Sequence, residues 1–163
     1  MNTTETLIRP AIRFDFDALV PSFSRAVASL DHAAKVEAER AGIPAGLTEL
    51  LRLRTSQING CAYCVDTHSR DARDAGESFQ RISAVAVWEE SNFFTQKERS
   101  AFALADSVAR LADTHVPDAI VADVLEVWTE AEAAAILAIL VSINAWNEIG
   151  VTARCWRASV ENV

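Results

Sequence analysis

Glycine and proline are scarce in this chain, at five and four of 163 residues, and β-branched and aromatic residues are scattered among Ala, Leu, Glu and Arg. That composition disfavours strands and hairpins and leaves an all-α fold as the expectation. Basic residues are short as well: 15 Lys and Arg against 23 Asp and Glu leave a formal charge of -8 and a pI near 4.8. Such a surface repels a phosphate backbone, and no basic stripe with interleaved aromatics offsets this, so no nucleic-acid partner is expected. Long uncharged runs are missing too. The longest, Ala133 to Asn147, falls short of the roughly 20 apolar residues a membrane span needs, so it reads as a core helix and no membrane partner is expected. Residues Met1 to Asp15 carry Glu5, Arg9 and Arg13 and no apolar signal-peptide core, which makes a soluble cytoplasmic protein the expectation. Cysteine is rare: the three present cannot all pair within one chain, and a reducing cytoplasm does not maintain structural disulfides. A close cysteine pair in that setting suggests metal or redox chemistry.

What is present is enough apolar material, 50% of residues, for one well-buried domain over residues 1–163 and too little length for two ordinary ones. Phe16, Leu19, Val20, Phe23, Val27 and Leu30 recur at helical spacing and predict an amphipathic helix from about Asp15 to Ala41 with this stripe facing the core. Gly42-Ile43-Pro44 ends it. A second helix from Gly46 carries Leu47, Leu50 and Leu51, holds Glu49, and stops at Asn59-Gly60, a pair suited to a C-terminus with positive φ. A third runs from Cys61 to Ala75, with Gly76 as its stop. Further on, Ser78 caps a helix with Phe79, Ile82, Val85 and Trp88 on one stripe. Thr95 with Glu98, and Thr129 with Glu132, are capping-box patterns. The first opens a helix with Phe102, Ala105, Val108 and Leu111, and the second a helix of about Glu130 to Ile149 that is apolar nearly all round at Ala133 to Val141. Between them Pro117 sits in the first turn of a helix with the stripe Ile120, Val121, Val124, Leu125 and Trp128.

The chemistry concentrates at Cys61-Ala62-Tyr63-Cys64. At about 100° per residue, Cys61, Cys64 and His68 fall within an arc of about 60°, so all three share one helix face. Cysteines at i and i+3 can close a disulfide, and a helix N-terminus favours a thiolate through its partial positive charge. His68, one turn past Cys64, can pass a proton at neutral pH. A thiolate that attacks a peroxide O–O bond becomes a sulfenic acid, which a second thiol condenses to a disulfide and water. The departing alkoxide needs a proton. A carboxylate such as Glu49 could feed one, although spacing alone does not single it out.

Glu49, eleven intervening residues, then Cys61-x-x-Cys64-x-x-x-His68 resembles the alkylhydroperoxidase D core of the carboxymuconolactone decarboxylase-like superfamily. The resemblance covers about Leu47 to Leu111, including Leu53 to Gly60, Asp71 to Glu77 and the Phe93-Phe94-Thr95 to Glu98-Arg99 stretch, and extends to Asn144-Ala145-Trp146-Asn147. It implies a compact multi-helix all-α fold that forms homo-oligomers, trimers or hexamers. By the same resemblance Cys64 forms the sulfenic acid, Cys61 is proton donor and resolving thiol, and His68 and Glu49 complete the proton relay. Where the family pattern carries His before the second cysteine, this chain has Tyr63. The expected function is a thiol peroxidase acting on hydroperoxides without a cofactor or bound metal, re-reduced by a dithiol of the lipoamide type or a thioredoxin-like protein.

Other readings stay open on the residues themselves. The same pair would serve a disulfide relay to a partner peroxidase, whereas the decarboxylation of the superfamily's name has no evident use for it. A non-catalytic oligomeric protein with a vestigial site is another alternative. The cysteines could be packing residues, or Cys61, Cys64 and His68 could be three of four zinc ligands. Haem attachment is excluded because Val65, not His, follows the second cysteine. Cys155 reads as a packing residue, His32 and His115 as surface or packing residues, and the four tryptophans as core or interface residues.

Overall fold

The computed structural model describes residues 8–158; the first seven residues of the amino-terminal segment read above and the last five of the chain lie outside it. Among the described residues every regular element is helical: α1 Phe16–Leu19, α2 Pro21–Arg40, α3 Ala45–Asn59, α4 Ala62–Asp74, α5 Phe79–Ala84, α6 Gln96–Ala109, α7 Leu111–Thr114, α8 Asp118–Val127 and α9 Glu130–Ala153. The all-α expectation is met.

Helix α3 lies at the centre, packed on α4, α6 and α9 at once, which is why it buries Leu47, Leu50, Leu51 and Leu53 around much of its circumference. Helix α9 packs against α3 and α2 and buries Ile136, Ile139, Leu140 and Ile143. With 24 residues and a hydropathy of 1.6 over its most apolar window, α9 is long and apolar enough to cross a membrane, longer than its uncharged run implied. Those four residues are buried inside the fold, as in the core helix of a helical bundle. Both capping boxes form: the Thr95 hydroxyl accepts from the Glu98 amide at 3.2 Å and the Glu98 carboxylate from the Thr95 amide at 2.7 Å, with the same two distances between Thr129 and Glu132.

Four expectations are corrected. The chain breaks into α1 and α2 at Val20-Pro21, and of the first stripe only Val27 is buried; Leu19 is 69% and Phe23 57% exposed. The core face of α2 is Val27, Ala34 and Ala38. Small side chains let α2 approach α9 closely, so the face rich in Ala and not the one with the larger residues is turned inward. The helix expected through Trp88 stops at Ala84 and continues as a single 3-10 turn, Val85–Val87. Arginines take up the carbonyls that the helix abandons: Arg54 donates to Ala86 at 3.0 Å, and Arg99 to Trp88 at 2.9 Å and Glu89 at 2.8 Å. Phe79 is left 83% exposed while Val85 and Trp88 stay buried. Leu111 falls beyond the end of α6 and is exposed, because Arg110 leaves helical geometry. Val124 on α8 and Trp128 just after it are buried, but Val121 and Leu125 are exposed.

Phe102 is fully buried, stacked on Trp88 at 5.8 Å and edge-on to Phe94 at 4.9 Å. Phe102→Ala should therefore cost about 3–5 kcal/mol, whereas Phe79→Ala should change stability by less than about 0.5 kcal/mol. Urea unfolding of the two variants measures both, and equal losses would contradict this core.

Candidate active site

The site begins at a chain reversal. Gly60 ends α3 in the left-handed region at φ 71°, its amide bonded to the Ser56 carbonyl, and Cys61 at once becomes the N-cap of α4. The two helices therefore form a hairpin and lie along each other. Glu49 is about 15 Å back along α3 and His68 about 10 Å along α4, at about 1.5 Å per residue. Their side chains meet across the hairpin, with His68 Nδ1 2.7 Å from Glu49 Oε2.

An amide network clamps this reversal onto α9. Asn59 Nδ2 donates to Asn144 Oδ1 at 2.7 Å and to Asn147 Oδ1 at 3.0 Å, and Asn147 Nδ2 donates to Ser56 Oγ at 3.1 Å. Asn147 and Ser56 are both buried, so the bond between them is made away from water and its loss would leave an unpaired amide. The sequence offered Asn144 and Asn147 only as part of a pattern; the structure shows what they hold.

Cys61 and Cys64 are both buried, joined as a disulfide with Cα atoms 5.3 Å apart, and packed against Ile143 and Trp146. Cys61 Sγ accepts from the Cys64 amide at 3.3 Å. It lies over Gly150 of α9, where a Cβ would come within 2.9 Å of that sulfur. Cys64, and not Cys61, lines a cavity of about 280 Å³ that His68, Arg52, Tyr63, Trp146 and Trp156 also line.

The four residues singled out in the sequence are thus brought together, and the zinc reading is not what the structure assembles. Both sulfurs are engaged in the disulfide. Among the described residues the group with metal-ligand spacing is instead Glu49, His68 and Asp71, whose ligand atoms lie within 4.8 Å of one another. There the His68 nitrogen nearest Glu49 is already at hydrogen-bond distance from it, so a cation between them would have to displace that bond.

Further charged groups complete the site. Arg52, one turn after Glu49, is almost wholly buried and reaches Asp31 of α2 at 2.9 Å; Lys35 approaches the same carboxylate at 3.6 Å. Burial opposes ionisation of Glu49, but the His68 hydrogen bond and the attraction of Arg52, His68 and Lys35 outweigh it and hold its pKa below the ordinary 4.5. Arg52 and Asp71 stand three residues from Glu49 and His68, a spacing readable as one helix face. Asp31 and Trp156 carried no such signal. Trp146 and Trp156 are cavity walls as well as packing residues. Cys155 is half-buried and lies outside the cavity lining; burial pushes its thiol pKa up.

Residues 21–107 match the carboxymuconolactone decarboxylase family. The chain belongs to this family, as an alkylhydroperoxidase D-like member. The family relative YdfG of Bacillus subtilis (strain 168), an uncharacterized protein, is 37% identical over 103 residues, which are 63% of this chain and 70% of that one. The crystal structure of ATU0492 from Agrobacterium tumefaciens, a protein of unknown function named as a candidate AhpD antioxidant defence protein, superposes with a TM-score of 0.84 at 32% identity, covering 93% of this chain and all (100%) of that one. The debrominase Bmp8 shares the fold at 20% identity and a TM-score of 0.75, over 88% of this chain and 74% of its own.

A carboxyl whose folded pKa is depressed stabilises the fold above its unfolded value, and that contribution is lost as pH falls through the folded value. Urea midpoints should accordingly drop as the pH is taken below 4.5. Glu49→Gln, uncharged throughout, should lack this part of the slope and be less stable at neutral pH by about 1–3 kcal/mol. Identical pH slopes for the two proteins would remove Glu49 from the acid transition.

Proposed function

We propose that the protein is a thiol-dependent peroxidase that reduces organic hydroperoxides through the Cys61–Cys64 pair in antioxidant defence. The observation that carries this reading is the difference between the two sulfurs: the cavity opens onto Cys64, while Cys61 is held behind it against Gly150 of α9. An attacking thiolate must meet substrate, whereas a resolving thiol needs only to reach the first sulfur.

In the reduced protein His68, with Glu49 behind it, takes the Cys64 proton. The thiolate attacks the peroxide oxygen, the O–O bond breaks, and the departing alkoxide leaves as an alcohol with a proton from the Cys61 thiol or the His68–Glu49 pair. Cys64 is now a sulfenic acid. The Cys61 sulfur attacks it, expels water and closes the disulfide. Two thiols are thereby oxidised and one hydroperoxide becomes one alcohol and one water. A dithiol of the lipoamide type, or a thioredoxin-like protein, returns the pair to the thiol state by two exchange steps. A cytoplasmic setting suits this cycle because reducing compartments keep such dithiols available.

We further propose that copies of the chain associate, as trimers or hexamers, through exposed apolar residues that the fold leaves uncovered. Leu19, Phe23 and Leu30 on the amino-terminal helices, and Leu137 and Val141 on α9, are between 43% and 69% exposed. Light scattering on the eluting protein should give a mass of three or six chains, and a monomer at micromolar concentration would refute it.

Stopped-flow mixing of reduced protein with an alkyl hydroperoxide, followed by alkylation and mass spectrometry, tests the reaction. Two thiols should be lost per peroxide as a Cys61–Cys64 disulfide, far faster than for free cysteine. Cys64→Ser should abolish turnover, and His68→Gln should slow it by about 10²-fold or more. Slow oxidation by peroxide with rapid reduction of the disulfide by a dithiol would favour the electron relay instead.

A further inference from the structure

The cavity in front of Cys64 has one aromatic side, built from three separate segments of the chain. Tyr63 precedes Cys64 in the first turn of α4, Trp146 comes from α9, and Trp156 from the segment that follows α9. The Tyr63 and Trp156 rings stand 5.7 Å apart at 44°, and Trp146 meets Trp156 edge-on at 5.3 Å. These rings line the cavity together with Cys64 and His68.

Trp156 is held from several directions. The chain leaves α9 at Arg154 in a left-handed conformation, φ 53°, and the carbonyl of Ala153 accepts from the Arg13 amide at 2.9 Å. The indole N–H donates to Asp17 Oδ2 of α1 at 2.7 Å. The ring lies against Gly150, where a Cβ would come within 3.3 Å of it. The polar edge of the indole is therefore satisfied by Asp17, and its ring is half-buried at the cavity. Tyr63 keeps 36% exposure beside it.

We propose that Tyr63, Trp146 and Trp156 form a subsite for the organic body of the hydroperoxide and that the preferred substrates carry a single aromatic ring on the carbon bearing the peroxide. This rests on the peroxidase reading above and names its substrate class. Aromatic rings gain from offset or edge contacts with one another beyond what apolar burial supplies. A tert-alkyl group of similar reactivity offers no such contact, and hydrogen peroxide offers no body at all. The cavity's roughly 280 Å³ falls just below the about 300–1,000 Å³ typical of ligand pockets, a size for one ring and not for a fatty acyl chain.

The test compares cumene hydroperoxide with tert-butyl hydroperoxide, in which a methyl replaces the phenyl group. With the full-length reduced protein, KM for the cumyl substrate should be about ten-fold lower with kcat within about two-fold, because the ring contacts lie away from the O–O bond. Trp156→Leu should bring the ratio of kcat/KM values close to one, and Trp156→Phe should retain most of it; Trp146→Leu gives an independent reading should the first variant not fold. A wild-type ratio below about two, or a ratio unchanged in a folded leucine variant, would overturn the subsite. Binding of the unreactive alcohols to the disulfide form, measured by calorimetry, separates this outcome from failure of the peroxidase reading. If no peroxide consumes thiols, cumyl alcohol binding about ten-fold more tightly than tert-butanol, with the difference lost in Trp156→Leu, would still uphold the subsite. Equal binding of the two alcohols would refute it.

Discussion

Everything in the site hangs on the reversal at Gly60. A left-handed φ of 71° there sends the chain straight from α3 into α4, and glycine reaches it without the Cβ penalty that other residues meet. The demand is conformational and not steric, since a Cβ at Gly60 would touch nothing within 4 Å. Gly150 is required for the opposite reason. It sits in ordinary helix, but a side chain there would strike Cys61 Sγ and the Trp156 ring. One glycine thus sets the direction of α4, and the other sets how closely the cysteine pair and the aromatic wall approach α9.

The reversal alone would leave a mobile hairpin if nothing tied it down. Asn59, Asn144, Asn147 and Ser56 provide that tie through buried and part-buried amide bonds, and at the buried Asn147–Ser56 bond the alternative is an unsatisfied polar atom. Once the hairpin is docked, Glu49, His68, Arg52 and Asp31 form a chain of charged and polar groups largely removed from water. Burying such a set gains little stability over an apolar core of the same shape. Its effect is electrostatic: Glu49 stays ionised despite its burial, so a carboxylate stands behind His68 beside the cysteine pair.

The local parts of this arrangement were legible in the sequence. Capping boxes at Thr95 and Thr129, the end of α3 at Asn59-Gly60 and the shared face of Cys61, Cys64 and His68 all depend on residues within a turn or two of each other. Glu49 was not readable from spacing; it required the resemblance, because its partner is 19 residues away on another helix. The amphipathic stripe at Phe16 to Leu30 misled for a related reason. Periodicity reports that one face is apolar, but which face meets a neighbour depends on the neighbour, and the face α2 buries as it packs on α9 carries the small residues Ala34 and Ala38.

Sequence by itself therefore determined the helical class, most helix ends and the placing of Cys61, Cys64 and His68 on one face, since hydrogen bonding and side-chain periodicity over three or four residues settle those. Only the tertiary structure decided which cysteine lines the cavity, which apolar faces stay uncovered, and that Asp31 and Trp156 line it too. The Trp156–Asp17 bond spans 139 residues. A contact at that separation leaves no local pattern, because it exists only after the intervening helices have packed and brought Asp17 and Trp156 together.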